Sequence, residues 1–415
     1  MEGEAEQFFD DLGEDGEQID EVERVLGELS AALPSNLCTT VVPVLRMTAL
    51  RSLELKGSKL EFRMNDELVS SLCQSLSDVG IILESLLLPF NDLTDISCEI
   101  ISKTLLRPRE RDPQSLFVEN LSLEGNSITH VGVTHLQLQS NKLCPLLSLN
   151  LSGNSLGLAG GMQIATAMKT NRSLRALILN SCGFPLNALI AIATALGEDV
   201  IKKKPVLEVL EIDRAIVGSS KGEESTDHFS RILLNKTNSL SDVSLKFHSI
   251  SDFGARVLAD ALSRNSNIIS INLECNSIGV SGAEALSSYL ILQSKGASVG
   301  AGGGYSNSLR SLRLSYNCIG DEGAIALAEA LCVNTSLLTL TLNNNAIGVS
   351  GLVALGNALY KNNSLRRLAI FGNEFDSDVS GRLFFEFIQE RLRFLDLSLD
   401  ISVYIVDGVY LIAEK

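Results

Sequence analysis

The stretch Leu309–Ile347 reads LRSLRLSYNCIGDEGAIALAEALCVNTSLLTLTLNNNAI. Within it, Leu309, Leu312, Leu314, Asn317 and Ile319 return 28 residues later as Leu337, Leu340, Leu342, Asn345 and Ile347. Leu312 and Leu314 alternate with polar neighbours, the period of a strand that turns one face inward. Asn317 stands where the chain leaves the strand. An amide there can pair backbone groups of the turn and of adjoining units that would otherwise be buried unpaired. Gly320 and Gly323 punctuate the turn. Ala324, Leu327, Ala328 and Leu331 then follow at i, i+3, i+4 and i+7, the stripe of an amphipathic helix. One strand and one helix cannot bury that stripe alone, so the units must stack into a curved solenoid.

Working outward, the same spacing recurs along the chain. Leu50-Leu53-Leu55 opens the series with Ser58 in the Asn slot, followed by Leu83-Leu86-Leu88 with Asn91. Next come Val118-Leu121-Leu123 with Asn126, Leu146-Leu149-Leu151 with Asn154, and Leu174-Leu177-Leu179 with Cys182. Leu207-Leu210-Ile212 with Ala215 and Leu240-Val243-Leu245 with His248 are degenerate. Ile268-Ile271-Leu273 with Asn276 restores the pattern before the two units already quoted. Leu365-Leu368-Ile370 with Asn373 and Leu392-Leu395-Leu397 with Asp400 close a set of twelve strands.

A chain of 415 residues ordinarily suggests two or three domains, but a repeat array grows by adding coils. The apolar share of 45% suffices for one continuous core, and the absence of Trp suits narrow coils filled by Leu, Ile and Ala. The eight Cys are scattered without close pairing, which points to reduced thiols and a cytoplasmic protein, with cilium or nucleus as further compartments. No signal peptide or membrane span is legible. The net charge is −16, and residues 1–30 hold twelve acids and one Arg, leaving −5 for the rest. That distribution argues against nucleic acid as a ligand.

The expected domain plan has four parts. Residues 1–16 form an acidic disordered tail with Phe8 and Phe9 as its large apolar groups. Residues 17–49 are a helical N-terminal cap, with Ile19, Val22, Leu26 and Leu29 on one face and Pro34 as a stop. Residues 50–400 are the solenoid. Residues 401–415 are a β-hairpin cap turning at Asp407-Gly408. Longer spacings fall in loops at 107–115, 197–206 and 293–308. Gly218–Asp227 reads as a loop after a strand, on the rim.

The 28-residue period, the Asn or Cys slot and full helices such as GVSGAEALSSYL and GARVLADALSRN resemble the ribonuclease-inhibitor class of leucine-rich repeats. That class includes ribonuclease inhibitor, the repeat domains of NOD-like receptors and the Ran GTPase-activating protein. The resemblance covers about residues 50–400 and implies an α/β horseshoe, with a parallel sheet on the concave side and helices on the convex side. A looser resemblance is to stand-alone repeat proteins of cilia and the nucleolus and to axonemal repeat subunits. A shared scaffold does not fix what is bound.

No catalytic motif stands out, and no cofactor or metal is expected. GSSKGEES lacks the strand–loop–helix setting of a phosphate loop. His130 and His135 are five apart and read as surface histidines, while His248 reads as a structural substitute in the Asn slot. The Lys202–Lys204 run reads as a solvated helix end or a contact for an acidic partner. What remains is the concave face. Its outward residues are expected to include Glu211, Asp213, Arg214, Lys246, Phe247 and Glu274 in the middle coils. Arg313, Tyr316, Arg367, Phe371 and Phe394 follow towards the C-terminal end, with Phe371 and Phe394 as exposed rings that want a partner. Asn91, Asn126, Asn154, Asn276, Asn317, Asn345 and Asn373 are expected to form a structural ladder.

The leading expectation is a non-enzymatic scaffold that binds a protein on its concave face as a subunit of a larger hetero-complex. The first alternative is a Ran-type GTPase-activating protein, with Arg214 as the residue to suspect. Here, however, the acidic block precedes the repeats rather than following them. The second alternative is an inhibitor of a basic enzyme.

Overall fold

A computed structural model describes residues 51–58, 63–79, 83–106, 118–138, 146–197, 206–214, 222–234, 239–296, 309–390, 392 and 396–415. The tail, the N-terminal cap, Lys202–Lys204, Phe394 and most of the long loops lie outside the described residues.

The chain alternates short strands with helices. The first units are β1 (Ser52–Glu54), α1 (Asp66–Val79), β2 (Ser85–Leu87), α2 (Asp95–Thr104), β3 (Asn120–Ser122) and α3 (His130–His135). Then come β4 (Ser148–Asn150), α4 (Gly157–Thr170), β5 (Ala176–Ile178) and α5 (Leu186–Gly197). The middle holds β6 (Val209–Glu211), α6 (Gly222–Leu234), β7 (Asp242–Ser244), α7 (Asp252–Arg264), β8 (Ser270–Asn272) and α8 (Val280–Gly296). The last coils are β9 (Ser311–Arg313), α9 (Gly320–Leu331), β10 (Thr339–Thr341), α10 (Val349–Leu359), β11 (Arg367–Ala369), α11 (Arg382–Glu390) and β12 (Ser398–Leu399). A hairpin of β13 (Ile401–Val406) and β14 (Val409–Glu414) follows.

β1 to β12 form one parallel sheet in sequence order, the solenoid that the repeat spacing dictates. The central apolar residues lie in one register, with Leu312 opposite both Ile271 and Leu340. Each is buried between coils, as are the helix residues Ala324, Leu327 and Leu331 that face them. Helices are about 10 Å across whereas strands sit about 4.8 Å apart. Stacking the two layers in register therefore bends the array, leaving the sheet concave.

Two differences from the sequence reading concern the edges. The last strand pairs Leu399, not Leu395, with Leu368. The run Leu395-Asp-Leu-Ser-Leu-Asp-Ile401 alternates with period 2, so a slip of four residues keeps every side chain on its face. Asp400 consequently leaves the Asn slot. Its carboxylate accepts from the Ile370 and Phe371 N–H groups at 2.8 and 3.1 Å, capping donors at the end of the ladder. The second difference is that Gly222–Leu234 is helical, so residues 222–227 of the expected Gly218–Asp227 loop belong to a helix, and residues 218–221 lie outside the described residues.

A third set of contacts joins the helix starts. Asp252 at the start of α7 accepts from the N–H groups of Gly279 and Gly282 in the next coil, at 2.6 and 2.9 Å. Asp95 does the same for Thr129 and Gly132, each at 2.8 Å, and Asp321 for Gly351 at 2.8 Å. Orphan helix N–H groups are thus capped from the preceding coil, where the carboxylate also meets the positive end of the helix dipole.

Candidate functional site

The strand exits build the concave rim. Asn317 shows the construction: its Nδ2 donates to Leu314 O of its own coil and to Leu273 O of the coil before, at 2.9 and 3.0 Å. Its Oδ1 accepts from Ile278 N at 3.0 Å. Asn91, Asn126, Asn154, Asn276 and Asn373 make equivalent donations to the preceding coil. Asn345 donates to Leu314 O, but its buried Oδ1 has no hydrogen-bond partner among the described residues. In the degenerate coils, Cys182 Sγ donates to Leu151 O at 3.2 Å and His248 Nε2 pairs with Ile212 O at 2.6 Å. Burial raises the Cys182 thiol to about 12 and lowers His248, against the opposing pull of its Ile212 contact. Both side chains are held neutral as structural plugs.

Immediately before the slots from Asn91 to Asn373 the backbone turns left-handed. Phe90, Ser181, Arg214, Phe247, Cys275, Tyr316 and Asn344 all have φ between 50° and 59°, and Gly125, Gly153 and Gly372 occupy the same place in their coils. Only Gly and Asn adopt this region cheaply. For the others the strain is of order 1–2 kcal/mol each. Several of the strained side chains are large and exposed: Tyr316 is 57% exposed, Phe90 43% and Phe247 40%. The Phe90 ring lies against Gly125, where a Cβ would come within 2.4 Å of it.

The residues singled out on the concave side divide three ways. Arg214, Phe247, Tyr316, Arg313 and Arg367 are exposed, and the Arg214 guanidinium stacks 4.3 Å from the Phe247 ring centroid. Glu211, Lys246 and Glu274 are half-buried in cross-coil contacts: Glu211 accepts from Asn180 at 2.9 Å and Glu274 from Thr341 Oγ1 at 3.0 Å. Asp213 does not face outward. It is buried, accepting from Ser244 Oγ at 2.7 Å and Lys246 N at 2.8 Å, with Lys246 Nζ at 3.5 Å. Phe371 is also not a free ring, because it is half-buried and packed on the core. Phe394 lies outside the described residues.

Sequence reasoning passed over a second asparagine ladder on the opposite edge. Asn171, Asn265, Asn334 and Asn362 each donate to a carbonyl of the coil before, namely Leu138, Leu233, Leu290 and Leu331. Each Oδ1 accepts from the N–H groups two and three residues on, as in Leu174 N to Asn171 Oδ1 at 2.8 Å. The repeated Asn-x-Ser/Asn-Leu/Ile before a strand was the available signal. It also passed over the left-handed row, which Phe, Arg and Tyr disguise.

Among the described residues no group of His, Cys, Asp and Glu is placed to hold a metal, and no helix is long and apolar enough to cross a membrane. His130 and His135 sit on α3.

Comparison with known proteins gives similarities of the same kind. The family described as Leucine Rich repeat matches residues 142–165, 264–287, 305–328 and 333–356. Human NACHT, LRR and PYD domains-containing protein 5 is 27% identical over 287 residues, covering 68% of this chain and 21% of that protein. The chain therefore spans about a fifth of that relative's length. Ribonuclease inhibitor from Sus scrofa is 25% identical over 333 residues, covering 71% of this chain and 70% of the inhibitor. Among solved structures, an internalin of Listeria monocytogenes is similar at 14% identity and a TM-score of 0.40, covering 88% of this chain and 94% of that one.

Proposed function

We propose that this chain, a leucine-rich-repeat protein of the ribonuclease-inhibitor type, is a non-enzymatic scaffold that binds a protein partner across the strand exits of its concave face. The observation that carries the reading is the left-handed row. Phe247 and Tyr316 hold strained backbone, at φ 59° for both, where Gly or Asn would relieve it, and their rings are exposed. Strain kept at exposed aromatic positions has no folding benefit, and aromatic and Arg side chains dominate binding energy at interfaces. We place the protein as one subunit of a larger assembly, cytoplasmic, ciliary or nuclear.

The test is quantitative capture from native lysate by the wild-type chain, a Phe247→Ala/Tyr316→Ala variant and a helix-face control, Phe253→Ser, at a residue 54% exposed on α7. Loss of one partner set with the rim variant alone supports the reading. Equal capture by all three proteins ends it.

A second reading is an inhibitor of a basic enzyme, supported by the match to porcine ribonuclease inhibitor across 70% of its length and by the net charge of −16. Titrating the chain into a pancreatic-type ribonuclease assay decides it. Full activity at micromolar chain removes this reading.

A further inference from the structure

The charges of the C-terminal half of the concave face are layered. Arg214, Arg313 and Arg367 are exposed, and among the described residues none has a carboxylate within ion-pair distance. The acids of the same face sit lower and are already engaged. Glu211 is held by Asn180, Asp213 by Ser244 and Lys246, Glu274 by Thr341, and Asp400 by Asn343 and two backbone N–H groups. A partner arriving from solvent therefore meets guanidinium groups first, on a chain whose net charge is −16.

The apolar groups are equally ordered. Phe247, Cys275 and Tyr316 occupy the same left-handed position in three consecutive coils. Two exposed rings thus flank a small thiol, with about 10 Å between the outer two coils, twice the strand spacing. That spacing suits one ring or large aliphatic side chain between the two, over Cys275, whose thiol burial keeps protonated. Arg214 already stacks on the outer side of Phe247, leaving its N–H groups to grip a carboxylate in bidentate fashion.

We infer that the rim around Phe247 and Tyr316 recognises an acidic protein segment carrying a large apolar side chain, the ring lying over Cys275 and its flanking carboxylates pairing with Arg214 and Arg313. A nucleic acid fits less well. Its continuous phosphates would meet the net negative charge of the whole chain, whereas a short acidic segment needs only these few arginines. The inference rests on the scaffold reading and names the chemistry of its partner.

The experiment uses fluorescein-labelled EAEQFFDDLGED, an acid-rich, Phe-bearing sequence that this chain itself carries at residues 4–15. The full-length chain and a full-length Phe8→Ser/Phe9→Ser variant are both titrated, so that competition from the chain's own copy of the sequence shows as binding in the second background alone. Either pattern supports the inference, provided four dependences hold. Affinity falls about five-fold in Arg214→Ala/Arg313→Ala, the sum expected of two exposed charge pairs. It falls again as NaCl is raised from about 50 to about 500 mM. It is lost in Phe247→Ala/Tyr316→Ala and with the peptide in which every Glu and Asp is replaced by its amide. No binding in either background, equal binding of the amide peptide, or displacement by single-stranded RNA overturns the inference. If lysate partners still require Phe247 and Tyr316 in that case, the scaffold reading stands and only the acidic chemistry falls.

Discussion

The guanidinium of Arg214 lies 4.3 Å from the ring centroid of Phe247, and both residues are in the left-handed region, at φ 50° and 59°. They hold the same place in adjacent coils, each just before its ladder slot. The stack is possible because the strand exits superimpose coil on coil, so a side chain at this place reaches its counterpart in the next. Register, set by buried leucines on one face, thereby aligns a row of exposed groups at the rim.

Relieving the backbone at this row separates folding from binding. Tyr316→Asn puts the residue that Asn344 supplies three places before Ile347 into the equivalent turn. The variant is expected to be more stable by about 0.5–1 kcal/mol, since Asn tolerates this conformation better. Urea titration checks the sign.

The ladder amides are the opposite case. Asn317→Ala leaves Ile278 N between coils without its acceptor, while Leu273 O loses one of two donors and keeps Asn276 Nδ2 at 2.9 Å. Loss is expected to be about 1–3 kcal/mol, from the unpaired buried N–H. Because repeats couple to their neighbours, exchange of amide hydrogens should rise in the coils on both sides.

Gly282 should reject a Cβ despite lying in a helix. An added methyl meets Ile278 Cγ2 at 2.7 Å and Asp252 Oδ1 at 2.8 Å. In an open helix Gly→Ala gains about 1 kcal/mol. Here crowding reverses the sign, and Gly282→Ala is expected to lose about 1–3 kcal/mol in a denaturant titration.

His248 makes stability depend on acid. Burial holds its folded pKa below the ordinary 6.5, opposed by the Ile212 carbonyl and by Asp213. The unfolded chain therefore binds the proton first, so stability is fully present at neutral pH and falls as pH drops below about 6.5. His248→Asn should remove that component, seen as a smaller fall in melting temperature between about pH 7.5 and about pH 5. Equal shifts in both proteins would discard the assignment.

The repeat register was legible because Leu at three fixed offsets and a polar amide at a fourth cannot be met by chance in coil after coil. The last coil was not, because Leu395, Leu397, Leu399 and Ile401 satisfy the spacing in more than one even register. What decided it was tertiary: Asp400 finds the Ile370 and Phe371 N–H groups only in the observed pairing. Asp213 looked like a surface acid since its partners, Ser244 and Lys246, belong to the next coil. Phe371 looked exposed by strand alternation, yet it packs on the core near the chain end. Exposure on this face follows from what the adjoining coil contributes, which a single repeat does not reveal.

The most direct test of the rim as a binding surface measures stability and partner capture on one preparation of Phe247→Asn/Tyr316→Asn. The expected result is a protein at least as stable as wild type that no longer retains its partner set. A destabilised variant that keeps every partner would contradict it, since the rings would then serve the fold and not the interface.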